Sequence, residues 1–267
     1  MSPPRTALVL AGTRPGGDPL AAHAGVSHKA LIPVGGMPML GRVLAALAEV
    51  PSIARIVVAI DDAGVLAGMP PVATPVEAMA SASGPSASVA RALEQSGTPL
   101  LVTTADHALL QPAWVEEFLA CAAGSPADAL VAMARRADVV RAAPSSQRTW
   151  WRFSDGDFSG CNLFLLATPA AAGVVRLWQQ LEAQRKHPVA QLRLLGLGHV
   201  LRYRLGILSL PQALARLGAL SGARIAPVVL SDGRAAIDVD KPADLELVQS
   251  LLGSAPHAGE AEGGASR

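Results

Sequence analysis

The chain has 267 residues, enough for one large α/β domain or two small ones with a substantial core. Hydrophobic residues make up 51% of it, yet no apolar run reaches the length of a membrane-spanning helix. A formal net charge of +1 gives no bulk attraction for nucleic acid. Cys121 and Cys161 lack CxxC spacing and a nearby histidine pair, so both are expected as buried thiols rather than a disulfide or a metal site. The lead before the first apolar run is too short for a secretory signal, which makes the cytoplasm the expected compartment.

Residues 7–11 form an apolar run of the length of a buried parallel strand. Gly12-Thr-Arg-Pro-Gly-Gly-Asp18 follows, a glycine-rich loop with one cation, Arg14. Such a loop exposes backbone N–H groups with no Cβ in the way, a concavity that suits phosphate. Lys29 and Pro33-Val-Gly-Gly-Met-Pro38 come next. A helix is then predicted over 39–50, with Leu40, Val43, Leu44 and Leu47 on one face. A β-branched run over 54–60 completes a β-loop-α-β unit, which requires a right-handed crossover and a parallel sheet. Asp61 and Asp62 end that run. Neighbours on an extended strand point to opposite sides, so the pair reads as a solvated strand end and not as a shared metal site.

The opening motifs carry a family resemblance. Leu10-Ala-Gly12, followed by Lys29-Ala-Leu-Ile-Pro-Val-Gly-Gly-Met-Pro-Met-Leu40, resembles the start of the MobA-like and sugar-phosphate nucleotidyltransferases. One departure is that Thr13 stands at the usual second glycine, with Arg14 directly after it. The resemblance implies a three-layer α/β sandwich with a mostly parallel sheet, the nucleotide-diphospho-sugar transferase or GT-A-like fold. It also implies that the loop wraps an NTP triphosphate, through Leu10, Ala11, Gly12, Thr13, Gly16 and Gly17, and that Lys29 and Arg14 act on phosphate. Mg²⁺ is the implied cofactor, with Mn²⁺ as an alternative.

Further along, a short strand is predicted over 72–76, a small-residue loop over 81–88 and a helix over 89–95 capped by Ser88. In similar families such a loop lies beside the nucleotide base, which places Gly84 and Ser88 among the nucleotide-binding candidates, although a solvent linker fits the residues equally well. The strand predicted over 99–104 ends at Asp106-His107. Ligands of open α/β sheets bind beyond the carboxyl ends of the strands, and in the resembling family an Asp at this strand end holds Mg²⁺. Asp106 is therefore the first metal candidate, whereas His107 reads as rim. A helix over 112–123 and a strand over 129–133 follow. Then come Arg135, Arg136, Arg141 and Arg148, the lid or core pair Trp150-Trp151, and a strand over 158–166. Asn162 on that strand is placed on the acceptor side by the resemblance; a turn-capping role is the alternative.

From Ala183 to Ser231 there is no Asp or Glu, but seven Lys or Arg set among leucines. Leu194, Leu197, Leu201, Leu205 and Leu208 fall within about 80° on a helical wheel at about 100° per residue. The segment reads as a helical insertion, about 176–222, packed on the sheet, with peripheral contact to the inner face of a membrane as the alternative. An edge strand over 225–230 precedes Asp238-Val-Asp240-Lys-Pro-Ala-Asp244-Leu, which resembles the C-terminal motif of the family. Asp240, supported by Asp238, would complete the metal site there, whereas Asp244 reads as structural at the start of the last helix. Residues 1–252 are thus expected as one nucleotidyltransferase domain and 253–267 as a disordered tail.

The reaction implied by the resemblance moves an NMP from an NTP to a small or lipid-linked phosphorylated acceptor with release of pyrophosphate. A GT-A glycosyltransferase using an NDP-sugar, to which Asp238-Val-Asp240 bears a superficial likeness, and a non-catalytic nucleotide-binding module are the two rival readings.

Overall fold

The computed structural model describes residues 5–13, 16–184 and 196–253. In chain order the main elements are β1 (Thr6–Leu10), α1 (Pro19–His23), β2 (Pro33–Val34), β3 (Met37–Pro38), α2 (Met39–Ala48), β4 (Arg55–Ile60), β5 (Val76–Ala80), α3 (Pro85–Ser96) and β6 (Leu100–Thr104). There follow α4 (Pro112–Ala123), β7 (Ala129–Arg135), α5 (Arg136–Ala142), β8 (Trp151–Phe153), β9 (Gly156–Leu166) and α6 (Ala172–Ala183). The last are α7 (Leu197–Arg204), α8 (Leu210–Ser221), β10 (Ile225–Val229) and α9 (Pro242–Gly253).

Among the described residues one sheet runs in the order β10-β7-β9-β6-β1-β4-β5, with β8 paired to β9. β9 pairs antiparallel with β6, β7 and β8, and the other neighbours pair parallel. Strand residues alternate between two apolar layers, as a two-residue side-chain period demands. Ala7, Val9, Ile56, Val58 and Leu101 face a core with α2 and α4, while Leu8, Val57, Ala59, Leu100 and Val102 face α3 and α6. This is the three-layer, mostly parallel α/β sandwich expected from the sequence. β10 lies at the sheet edge, where Pro227 costs no ladder bond to a further strand.

The first β-loop-α-β unit forms as predicted. Gly35 and Gly36 have φ of 57° and 79°, so a two-residue turn can join β2 to β3, a geometry open to glycine without strain. That turn delivers the chain to α2, whose Leu40, Val43, Leu44 and Leu47 are buried.

Several expectations change. The strand expected over 72–76 lies at Val76–Ala80. The helix expected from Val89 begins at Pro85, because proline's fixed φ suits the first helical position, and Gly84 rather than Ser88 is its N-cap. Cys121 is exposed, since α4 buries Trp114, Val115, Phe118 and Ala122 and leaves it outside that stripe; Cys161 is buried. In the helical insertion Leu208 is buried, as are Leu210 and Leu214 of α8, but Leu197, Leu201 and Leu205 are exposed. The expected packing of the whole leucine stripe on the sheet therefore fails for α7. Arg185, Lys186, Arg193, Leu194 and the expected tail from 254 lie outside the described residues. Among the described residues, no helix is long and apolar enough to cross a membrane.

His107 is also not rim. It is 1% exposed, stacks on Trp114 with ring centroids 6.1 Å apart, and places Nδ1 3.5 Å from Thr103 Oγ1. Burial lowers its pKa to about 4 from an ordinary 6.5, with Asp106 opposing and Arg148 assisting. The unfolded chain thus binds more protons between those values, so this contribution to stability is complete above pH 6.5 and is lost as pH falls toward 4. Denaturant midpoints of the wild-type protein should fall across that window, and His107→Gln should flatten the dependence.

Candidate active site

The site lies at the carboxyl ends of β1, β4 and β6 and is closed by the segment before α9. Ala11 N–H donates to Ala59 O at 2.8 Å and Ala105 N–H to Leu10 O at 2.9 Å, so the three strand ends are tied level. Val239 N–H donates to Asp106 O at 3.1 Å. A stretch more than a hundred residues later in the chain is thereby fixed beside the end of β6.

Lys29 opens a single 3₁₀ turn, Lys29–Leu31, seated by buried Ala30. Its Nζ donates to Asp106 Oδ2 and to Asp240 Oδ1, each at 2.7 Å. Asp106 Oδ1 accepts from Thr104 Oγ1 at 2.5 Å, which fixes the carboxylate plane. Lys29 and Asp106 are each 20% exposed and Asp240 is 58% exposed, so the cluster opens toward solvent on one side. Burial would lower the lysine's pKa, but the charges and hydrogen bonds of Asp106 and Asp240 outweigh it and hold the ammonium above its ordinary value. The cation is thus permanent at neutral pH.

Asp238, expected in support of Asp240, is turned inward. It is 8% exposed; Oδ1 forms an ion pair with Arg148, and Oδ2 accepts from Asn162 Nδ2 at 2.6 Å. Burial pushes its carboxyl pKa up while Arg148 opposes. Arg148 in turn is held above its ordinary value, since Asp238 overcomes the effect of burial. Asn162 has φ of 48°, a left-handed conformation that asparagine tolerates better than most residues. The β7–β9 register slips between Val131 and Met133, opposite the stretch that holds Asn162, and such a bulge re-aims side chains. Thr103 Oγ1 donates to Asn162 O at 2.9 Å and secures the bend to β6.

The glycine loop is anchored by Asp61, which is therefore not a merely solvated strand end. Its carboxylate accepts from Thr13 N–H at 2.5 Å and from Ser81 Oγ. A Cβ on Gly12 would stand 3.0 Å from Ser81 Cβ, so the approach of loop and β5 end favours glycine there. Gly16 and Gly17 have φ of 95° and 86° and are exposed; Arg14 lies outside the described residues. Leu10 is half-buried and Ala11 buried, as support beneath the loop. Ser88 is buried in the first turns of α3, where its Oγ accepts from Ala82 N–H at 2.9 Å and donates to Gly84 O at 3.1 Å. It shapes the small-residue loop. Glu182 of α6 accepts from Ser86 N–H at 3.3 Å and from Ser86 Oγ, and fills the space over Gly84.

Asp61, Arg148 and Glu182 were missed from sequence. Asp61 could have been found, because the end of β4 must neighbour the end of β1 in a parallel pair. Arg148 stands among other arginines with nothing in its spacing to mark it.

A model for the MobA-like NTP transferase domain matches residues 7–224. The chain belongs to this family. A structure described as a hypothetical transferase from Thermus thermophilus is 29% identical with a TM-score of 0.77, and the match covers 92% of this chain and 100% of that one. A CMP:2-keto-3-deoxy-manno-octonic acid synthetase complexed with CTP is 15% identical with a TM-score of 0.55, over 94% of this chain and 99% of its own. A 4-diphosphocytidyl-2C-methyl-D-erythritol synthase from Anaerococcus prevotii is 9% identical with a TM-score of 0.55, over 93% and 96%. These two share the GT-A-like fold with the chain. No protein of curated function matches it. The family match ends before Asp238 and Asp240, so their place in the site rests on the hydrogen bonds above.

Arg148→Met should destabilise the protein by about 3–5 kcal/mol in denaturant titrations, the cost of leaving a buried charge unpaired. Adding Asp238→Asn should restore part of that loss. An unaltered midpoint in the single variant would show that the pair contributes nothing to the fold.

Proposed function

We propose that the protein is a nucleotidyltransferase that moves an NMP from an NTP to a phosphorylated acceptor and releases pyrophosphate. The observation that carries this reading is the Lys29 ammonium held between Asp106 and Asp240 at the strand ends, next to a glycine loop. In the proposed reaction an acceptor phosphate oxygen forms a bond to the α-phosphorus in line with the leaving group. The bond from that phosphorus to the β-phosphate oxygen breaks, and its electron pair leaves on pyrophosphate. A phosphate dianion is already a nucleophile, so no residue has to remove a proton. The loop amides and Lys29 bind phosphate oxygens, and catalysis comes from positioning and charge neutralisation.

Mg²⁺ fits the donor set. Two carboxylates converge on one cation, and Mg²⁺ is usually held by one or two carboxylates together with phosphate oxygens and water. Asp106 and Asp240 would hold the ion, and Asp238 would keep their segment in place. Bound there, Mg²⁺ would neutralise charge developing on the phosphates. Asn162 is the proposed acceptor-side residue.

The deciding assay follows pyrophosphate release for each NTP with Mg²⁺ and a panel of phosphorylated acceptors. Release of an NDP from NDP-sugars instead would favour the glycosyltransferase reading, and NTP binding without turnover the non-catalytic one. Asp106→Asn should lower turnover by about 10²-fold or more, the scale of a major electrostatic group, with the fold intact by circular dichroism. Lys29→Met should lower kcat/KM strongly. Because the ammonium occupies the point shared by the two carboxylates, its loss should also enlarge the rise in Tm produced by MgCl₂ without nucleotide. An unchanged Mg²⁺ response in Lys29→Met would place the ion elsewhere.

A further inference from the structure

None of the eight residues of α7 is buried. At about 100° per residue, Leu197, Leu201 and Leu205 lie along one stripe. They are 70%, 59% and 63% exposed, and Ile207 just beyond them is 55% exposed. Tyr203 points to the other side. Its ring meets Phe153 edge-on with centroids 5.5 Å apart, and its hydroxyl accepts from Arg152 N–H at 3.2 Å. Tyr203 thus pins the helix to β8 with its leucines turned away, and Arg202 Nη2 donates to Gln212 Oε1 of α8 at 3.4 Å. Trp151 and Phe153 share a face of β8, since side chains repeat every two residues. Trp151, the neighbour of the Arg152 whose N–H bonds Tyr203, is 50% exposed.

The charged side chains carried by α7 have one sign. On the wheel Arg204 lies about 20° outside Leu197 and Arg202 about 60° outside Leu205, so guanidinium groups flank both margins. The segment from Ala183 to Ser231 holds seven Lys or Arg and no acid. The acids of the adjoining β8–β9 hairpin are engaged: Asp155 accepts from Leu210 N–H at 2.9 Å, and Asp157 pairs with Arg136 at 3.1 Å. A second copy of the chain docked on α7 through a twofold axis would bring two acid-free basic segments together. An anionic surface complements them instead. Leucines that enter an apolar layer, a tryptophan at its boundary and arginines left at headgroup level match the composition of interfacial helices.

We propose that α7, with Ile207 and Trp151, is a docking site for the surface of an anionic lipid bilayer. The test is flotation of the full-length protein with vesicles of phosphatidylcholine alone or mixed with phosphatidylglycerol. The protein should rise with the phosphatidylglycerol vesicles at low ionic strength, sink when salt is raised, and stay down with phosphatidylcholine. Leu201→Ser with Leu205→Ser, and separately Arg202→Glu with Arg204→Glu, should each cut the bound fraction about tenfold. Because these side chains are exposed, Tm should not move. Absence of flotation with every vesicle, or equal flotation of both variants, would overturn the proposal. So would a dimer in sedimentation equilibrium that the leucine variant dissociates without any vesicle binding, which would make the stripe a self-association surface. Lipid is the sole probe, so these outcomes are independent of the reaction proposed above.

Discussion

One ammonium between two carboxylates organises this molecule. Asp106 follows β6 and Asp240 precedes the last helix, far apart in the chain, and like charges brought together at a strand end repel unless a cation lies between them. Lys29 supplies that cation from a 3₁₀ turn seated by a buried alanine. The segment carrying Asp240 is positioned by a backbone hydrogen bond from Val239 to Asp106, and by Asp244, whose carboxylate accepts from Asp240 N–H and Lys241 N–H at 3.1 Å each. Asp244 is thus structural in the way its place before the last helix implied.

Around that cluster the protein separates support from chemistry. Asp238 and Arg148 are withdrawn from solvent and bonded to each other, with Asn162 completing the set. A buried pair of this kind adds little net stability over apolar packing, but loss of one partner is severe. What it fixes is the relation between β9, the loop after α5 and the C-terminal segment. β9 runs against its neighbours β6 and β7, and so brings Asn162 to the same end of the sheet as Asp106.

The fold was legible because its signals are local and periodic. Apolar runs ending in glycine or acid marked β1, β4 and β6, and a helical stripe marked α2. Lys29, Asp106 and Asp240 were legible through motif order, which constrains residues far apart in the chain. Residues whose roles depend on which strand lies next to which were not. Asp61 anchors the glycine loop only because β4 adjoins β1, and Arg148 reaches Asp238 through a loop without regular spacing. His107 was misread because neither polarity nor sequence position reveals that Trp114 covers it. The leucines of the insertion satisfied a helical period, and periodicity alone cannot say whether a stripe faces the core or the solvent.

The manner in which α7 is attached has a consequence for how the chain can change over time. A helix with no buried residue, held among the described residues by Tyr203 and by a long hydrogen bond from Arg202 to Gln212, takes little part in the cooperative unit that stabilises the sheet. It can be lengthened or replaced with small effect on whether the domain folds, provided α8 remains, whose Leu210 and Leu214 pack with Met133 of β7 and with Ile225 and Val229 of β10. The insertion is therefore a graft point, where the surface of the domain can be exchanged while Lys29 and its carboxylates stay as they are.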